Sequence, residues 1–160
     1  MSADPAPVCA VSACLLGRAC RYDGASKPVP PSGGVAASLD AWERAGGRVV
    51  PVCPEELGGL GTPRPPAELR GGDGAAVLAG RARVERQRDV GDVTAAFVAG
   101  ARAALALAGA PSRAILKARS PSCGVGATWI DGEVRAGDGV FAALLRAHGV
   151  PLATDEDLGP

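Results

Sequence analysis

At 160 residues the chain is long enough to bury one hydrophobic core and too short for two comfortable ones. Apolar residues make up 47% but aromatic ones only 3%, so the core is expected to be built from Ala, Val and Leu. Seventeen basic residues balance 17 acidic ones, which argues against the electrostatic footprint of a nucleic-acid binder.

In chain order, Met1 to Pro7 is rich in Pro and Ala and reads as a flexible tail ahead of a single domain over residues 8–160. No basic start with an apolar run and cleavage site is present. The longest apolar stretch, Thr94 to Ala110, is broken by Arg102 and falls short of a membrane span. The expectation is a soluble, cytoplasmic protein with no membrane partner; the sequence is silent on oligomeric state.

Val8 to Ala13 is a short apolar run entering a Gly-containing loop, which predicts strand one. Val35 to Ala45 has helical spacing (Val35, Leu39, Trp42) and stops at Gly46-Gly47. Arg48 to Val52 predicts strand two. From Cys53 to Gly74 the chain is rich in Gly and Pro and reads as a long loop, a feature that in a small domain is usually functional. Ala76 to Arg88 suggests a strand pair turning at Gly80. Its arginines, Arg81, Arg83, Arg86 and Arg88, are interrupted by Glu85, as on an edge guarded against pairing.

Asp92 can cap an amphipathic helix over Val93 to Ala108. Arg113 to Lys117 predicts strand three. Trp129 to Val134 carries an Asp131-Gly132 hairpin turn. Asp138 is expected to cap a last helix to Ala147, with Gly149 as its stop and the lone His148 on its free carbonyls, and Val150 to Ala153 predicts strand four. Strands alternating with helices indicate an α/β class: a single-domain, three-layer, Rossmann-like fold with a mainly parallel sheet, plus a small β-hairpin.

Five cysteines is an odd number, and their spacing is not that of a secreted disulfide framework. Cys9 falls inside strand one, where a small buried hydrophobe belongs. Cys14, Cys53 and Cys123 follow the ends of strands one, two and three. In parallel sheets the loops beyond the carboxyl ends converge, so residues 39 and 70 positions apart can meet. Three thiolates suit a 4Fe–4S cluster with one open iron able to act as a Lewis acid; a zinc site on the same cysteines is the competing reading. Cys20, beside Arg21, stays open between packing, lining the site and ligation.

The residues around these cysteines carry more. Val11-Ser12-Ala13-Cys14-Leu15-Leu16-Gly17 with Arg21-Tyr22-Asp23-Gly24 resembles the opening signature of the thiouracil desulfurase family. So do Pro51 to Leu60 with Pro63-Arg64, and Lys117-Ala118-Arg119-Ser120-Pro121-Ser122-Cys123-Gly124, while Gly137-Asp138-Gly139-Val140 is similar to a later landmark. The resemblance implies a 4Fe–4S cluster on Cys14, Cys53 and Cys123, and non-redox desulfuration of a thiolated pyrimidine such as 2-thiouracil to the oxo base and sulfide. It implies catalytic roles for Glu55 and Ser120. Arg21, Tyr22, Asp23, Arg64 and Lys117 are then candidates to bind a small thiolated base or nucleoside, against plainer readings as turn residues or solvated charges. A cluster or sulfur carrier in nucleic-acid base thiolation, or a zinc-dependent hydrolase, are the alternatives.

Overall fold

The computed structural model of the chain describes residues 5–159; most of the expected N-terminal tail, residues 1–4, lies outside them. In chain order the elements are β1 (Val8–Ser12), α1 (Gly34–Arg44), β2 (Arg48–Val52), α2 (Pro54–Leu57), β3 (Ala67–Arg70), α3 (Gly74–Leu78) and β4 (Arg83–Arg86). They continue with α4 (Thr94–Ala108), β5 (Arg113–Leu116), β6 (Ala127–Ile130), β7 (Glu133–Ala136), α5 (Val140–Ala147) and β8 (Leu152–Thr154).

The first sheet is wholly parallel, in the order β2-β1-β5-β8. Its strands are short and apolar because both faces are covered, as parallel sheets require. Alternation along β1 sends Cys9 and Val11 to a cluster with Val35 and Leu39 of α1. Ala10 points the other way, into a cluster with Phe97, Ala101 and Ala104 of α4 and Phe141 and Leu145 of α5. On β5, Ile115 joins the α1 side while Ala114 and Leu116 join the α4–α5 side. This is the three-layer α/β architecture expected from the sequence. Phe97 and Phe141 are almost completely buried, each contributing about 1.5–3 kcal/mol of hydrophobic stabilisation.

A second, mixed sheet runs β4-β3-β6-β7. The Asp131-Gly132 hairpin forms as expected, with both turn residues at positive φ, 51° and 82°. It is not a separate ornament, however, because Leu69 of β3 pairs with Ile130 of β6 in parallel and ties the hairpin into this sheet.

Three local expectations need correction. The Cys53–Gly74 stretch is not all loop: Pro54 starts α2, a position where its missing N–H costs nothing, and Ala67–Arg70 becomes β3 because two neighbours pair with it. Ala76–Arg88 is not a strand pair; Asp73 caps α3 by accepting from the Ala76 N–H at 3.0 Å, and only β4 is extended. Asp138 does not cap α5. Gly139 sits at that position, and the Asp138 carboxylate instead accepts from Gly126 N and pairs with Arg146 at 2.6 Å.

Close packing fixes where β2 leads. A Cβ at Gly100 of α4 would lie 1.9 Å from the Pro54 carbonyl, and one at Gly58 would lie 2.2 Å from that of Ala96. The two backbones therefore touch, and α2 is pinned against α4. Among the described residues no helix is long and apolar enough to cross a membrane.

Candidate metal centre

β1, β2 and β5 are neighbours in one parallel sheet, so the three loops leaving their carboxyl ends open onto one cavity of about 520 Å³. Cys14, Cys53 and Cys123 all line it. Cys14 sits in the tight 3-10 turn after β1, which closes at Gly17 with φ 91°. Cys53 is the residue between β2 and α2. Cys123 lies in the loop after β5, which a set of hydrogen bonds holds in place. The Ser120 hydroxyl oxygen accepts from the N–H groups of Ser122 and Cys123 at 3.2 and 3.1 Å. The N–H groups of Val140 and Phe141, free at the start of α5, donate to the Pro121 and Ser122 carbonyls at 2.9 and 2.8 Å.

All five cysteines are free thiols. Burial pushes the Cys14 thiol up to about 11; Arg21 and Lys117 pull it back, while Cys53 and Asp155 add to the rise. Burial also raises Cys123 strongly, against a hydrogen bond with Ser12, and the charges of Cys14 and Cys53 raise it further. Cys14 thus feels the charge of Cys53, and Cys123 the charges of both. Buried thiols that repel one another when ionised are held as thiolates by a metal cation, and a three-sulfur donor set suits iron–sulfur ligation. The cavity fits the group.

Glu55, on α2, lines the same cavity. Its Oε1 accepts from Arg64 Nε at 3.1 Å, and its Oε2 faces the Ser122 hydroxyl at 3.5 Å. Arg64 lines the cavity too, but its remaining donors go to the Gly61 carbonyl, the Thr62 hydroxyl and the Cys20 carbonyl at 2.8–3.0 Å. It is a bracket between loops more than a free ligand-binding cation. Arg21, Tyr22 and Lys117 are in the lining. The Arg21 guanidinium lies 5.8 Å from the Tyr22 ring centroid, and Lys117 Nζ donates to the Ala118 carbonyl at 3.2 Å. Asp23 is outside the lining; its carboxylate accepts from Ala25 N and shapes the turn.

Cys20 is buried yet lines the cavity, which resolves its open position in favour of the site. Cys9 is core, as expected. Trp129 and Gln87 line the cavity without having stood out in the sequence. Trp129 is 44% exposed, and its place on β6, between inward-facing Thr128 and Ile130, was the available signal. His148 Nδ1 lies 2.9 Å from the Leu144 carbonyl at the end of α5, a local contact away from the cavity.

An α/β protein with a thiol-lined cavity at the carboxyl edge of its parallel sheet is the class that fold and site define. Within that class the chain belongs to the 2-thiouracil desulfurase family, whose model matches residues 9–157. It is similar to the uncharacterized protein YbbK of Bacillus subtilis (strain 168), at 39% identity over 153 residues, covering 92% of this chain and 95% of the relative. Among solved structures it is similar to the [4Fe-4S]-dependent thiouracil desulfidase TudS, with a TM-score of 0.76 and 41% identity, over 95% of this chain and 93% of that one.

Proposed function

We propose that the chain, as one catalytic domain over residues 8–160, is a 4Fe–4S-dependent thiouracil desulfurase that converts a thiolated pyrimidine to its oxo form and sulfide. The observation that carries this is the meeting of Cys14, Cys53 and Cys123 in one cavity beside the Glu55 carboxylate, in a chain of this family. Cys14, Cys53 and Cys123 hold the cluster, which when bound supplies an iron without a protein ligand as a Lewis acid for a soft sulfur.

The chain's own residues do the rest. Arg64 fixes Oε1 of Glu55 and the Ser122 hydroxyl reaches Oε2 only at 3.5 Å, which leaves the carboxylate of this cavity-lining residue able to take a proton from water. The Ser120 oxygen already accepts two N–H groups, so its hydroxyl hydrogen is free to donate to the substrate ring. Tyr22 offers a face for stacking, and Arg21 and Lys117 place positive charge beside Cys14 and toward the polar edge of a base. A cavity of about 520 Å³ suits a free base or nucleoside more than a folded nucleic acid. Five free thiols fit a reducing compartment, the cytoplasm.

The test is anaerobic purification followed by iron, sulfide and turnover assays with 2-thiouracil. About four irons per chain with sulfide release is the expected result. Protein that stays colourless and takes up no iron after anaerobic reconstitution in the absence of zinc would sink the reading. A cluster carrier has no use for Glu55, so Glu55→Ala separates carrier from enzyme: it should keep cluster absorbance and lose sulfide release.

A further inference from the structure

Cys20 lines the cavity but is not needed for a three-cysteine cluster, and its surroundings give it another use. The Cys20 sulfur, the Cys53 sulfur and a Glu56 carboxylate oxygen all lie within 4.8 Å of one another. We propose that these three residues form a second metal site, for a single thiophilic divalent cation such as zinc, and that its occupation withholds Cys53 from the cluster. The competition rests on the cluster-ligand role proposed for Cys53; the cation site itself does not.

The donor set is two sulfurs and one carboxylate oxygen, a combination that zinc accepts. With Zn–S near 2.3 Å and Zn–O near 2.0–2.2 Å, tetrahedral ligands stand about 3.5–3.8 Å apart. Atoms no more than 4.8 Å apart therefore need to close by no more than about 1.3 Å around the ion. Cys53 is only half-buried and borders the cavity, so water can supply the fourth ligand. The Cys53 thiol points at the Cys20 carbonyl, 3.6 Å away, which keeps the two cysteines side by side.

Supporting contacts hold each ligand. The Glu56 carboxylate accepts from the Thr62 hydroxyl and pairs with Arg18 at 3.2 Å. The Cys20 carbonyl accepts from Arg64 at 2.9 Å. Orientation by outer partners of this kind characterises metal ligands. Two thiolates and a carboxylate around a dication leave one net negative charge, which Arg18 and Arg64 lie close enough to offset.

The full-length chain, purified without oxygen and before cluster loading, is titrated with cobalt(II) and then with zinc(II) in competition. One equivalent of cobalt should bind, with thiolate-to-metal charge-transfer absorption. Cys20→Ser should weaken binding by on the order of 100-fold and Glu56→Gln by about 10-fold or more, while Cys14→Ala and Cys123→Ala change it less than about threefold. One equivalent of zinc should suppress cluster assembly in the unmodified chain and not in Cys20→Ser. Cobalt binding unaltered in both Cys20→Ser and Glu56→Gln overturns the site. So does a loss in Cys14→Ala and Cys123→Ala as deep as that in Cys20→Ser, because the ion would then sit among the cluster cysteines. A Cys53→Ala chain that still takes up four irons refutes the proposed cluster ligands and the competition, independently of the cobalt results.

Discussion

Arg64 offers the sharpest quantitative test, because one side chain ties three segments together. Its side chain is 5% exposed and that of Glu55 15%. Replacing Arg64 by Leu keeps the apolar stem and removes every donor. Glu55 loses its partner, and the carbonyls of Gly61 and Cys20 lose theirs. Removing one member of a buried pair costs about 3–5 kcal/mol. Glu55 borders a water-accessible cavity and regains part of that, so the lower end, about 3 kcal/mol, is the expected loss. For a domain of this length, each kcal/mol lowers Tm by about 2–4 °C, giving a fall of about 6–12 °C. Thermal melts of anaerobic protein by circular dichroism measure it. Arg64→Lys keeps the charge but not the fork of donors, and should recover less than half of the loss. A Leu variant melting within about 2 °C of the unmodified chain would refute the bracket role.

Other outcomes follow from the same geometry. Glu55→Gln should lower sulfide release by about 10²–10⁴-fold with cluster absorbance unchanged; equal loss of absorbance would make Glu55 a structural residue instead. Gly100→Ala puts a methyl 1.9 Å from the Pro54 carbonyl, so it should cost about 1–3 kcal/mol and lower iron content by shifting Cys53. A variant that melts and loads iron normally would show that α2 and α4 have slack. Burial pushes the Asp138 carboxyl up, but Arg146 and the Gly126 N–H outweigh it and hold it below its ordinary value of 3.8. A depressed folded-state value means that this stabilisation is complete above about pH 4 and fades as pH falls through the folded value. Asp138→Asn should therefore destabilise the chain at pH 7 by about 1.5–3 kcal/mol, with the difference shrinking in urea melts below about pH 4. A pH-independent difference would mean that shape, not charge, is lost.

Much of the site was legible in the sequence because it sits where local signals are strongest. β1, β2 and β5 are short apolar runs, and a cysteine lies in the segment that leaves the carboxyl end of each. The rest depended on partners far along the chain. Ala67-Glu68-Leu69-Arg70 consists of good helix formers and is extended only because β4 and β6 pair with it. The α3 cap is legible in Asp73-Gly74, but Gly80 is equally a hairpin signal. Arg64 has the same composition whether it binds a substrate or clamps Glu55; only the fold brings its acceptors within reach. Cys20 was undecidable for the same reason: five residues of spacing from Cys14 say nothing about Cys53, 33 positions away.

The wide separation of the three strand-end cysteines fixes an order of events in the life of the protein. Cys14 and Cys123 lie on opposite sides of most of the chain, and only the pairing of β1 with β2 and β5 brings their loops together. Parallel pairing of this kind closes long loops and is slow. With the cluster ligands proposed above, the three thiols meet only once these strands have paired, so a complete set of ligands exists only in the folded sheet.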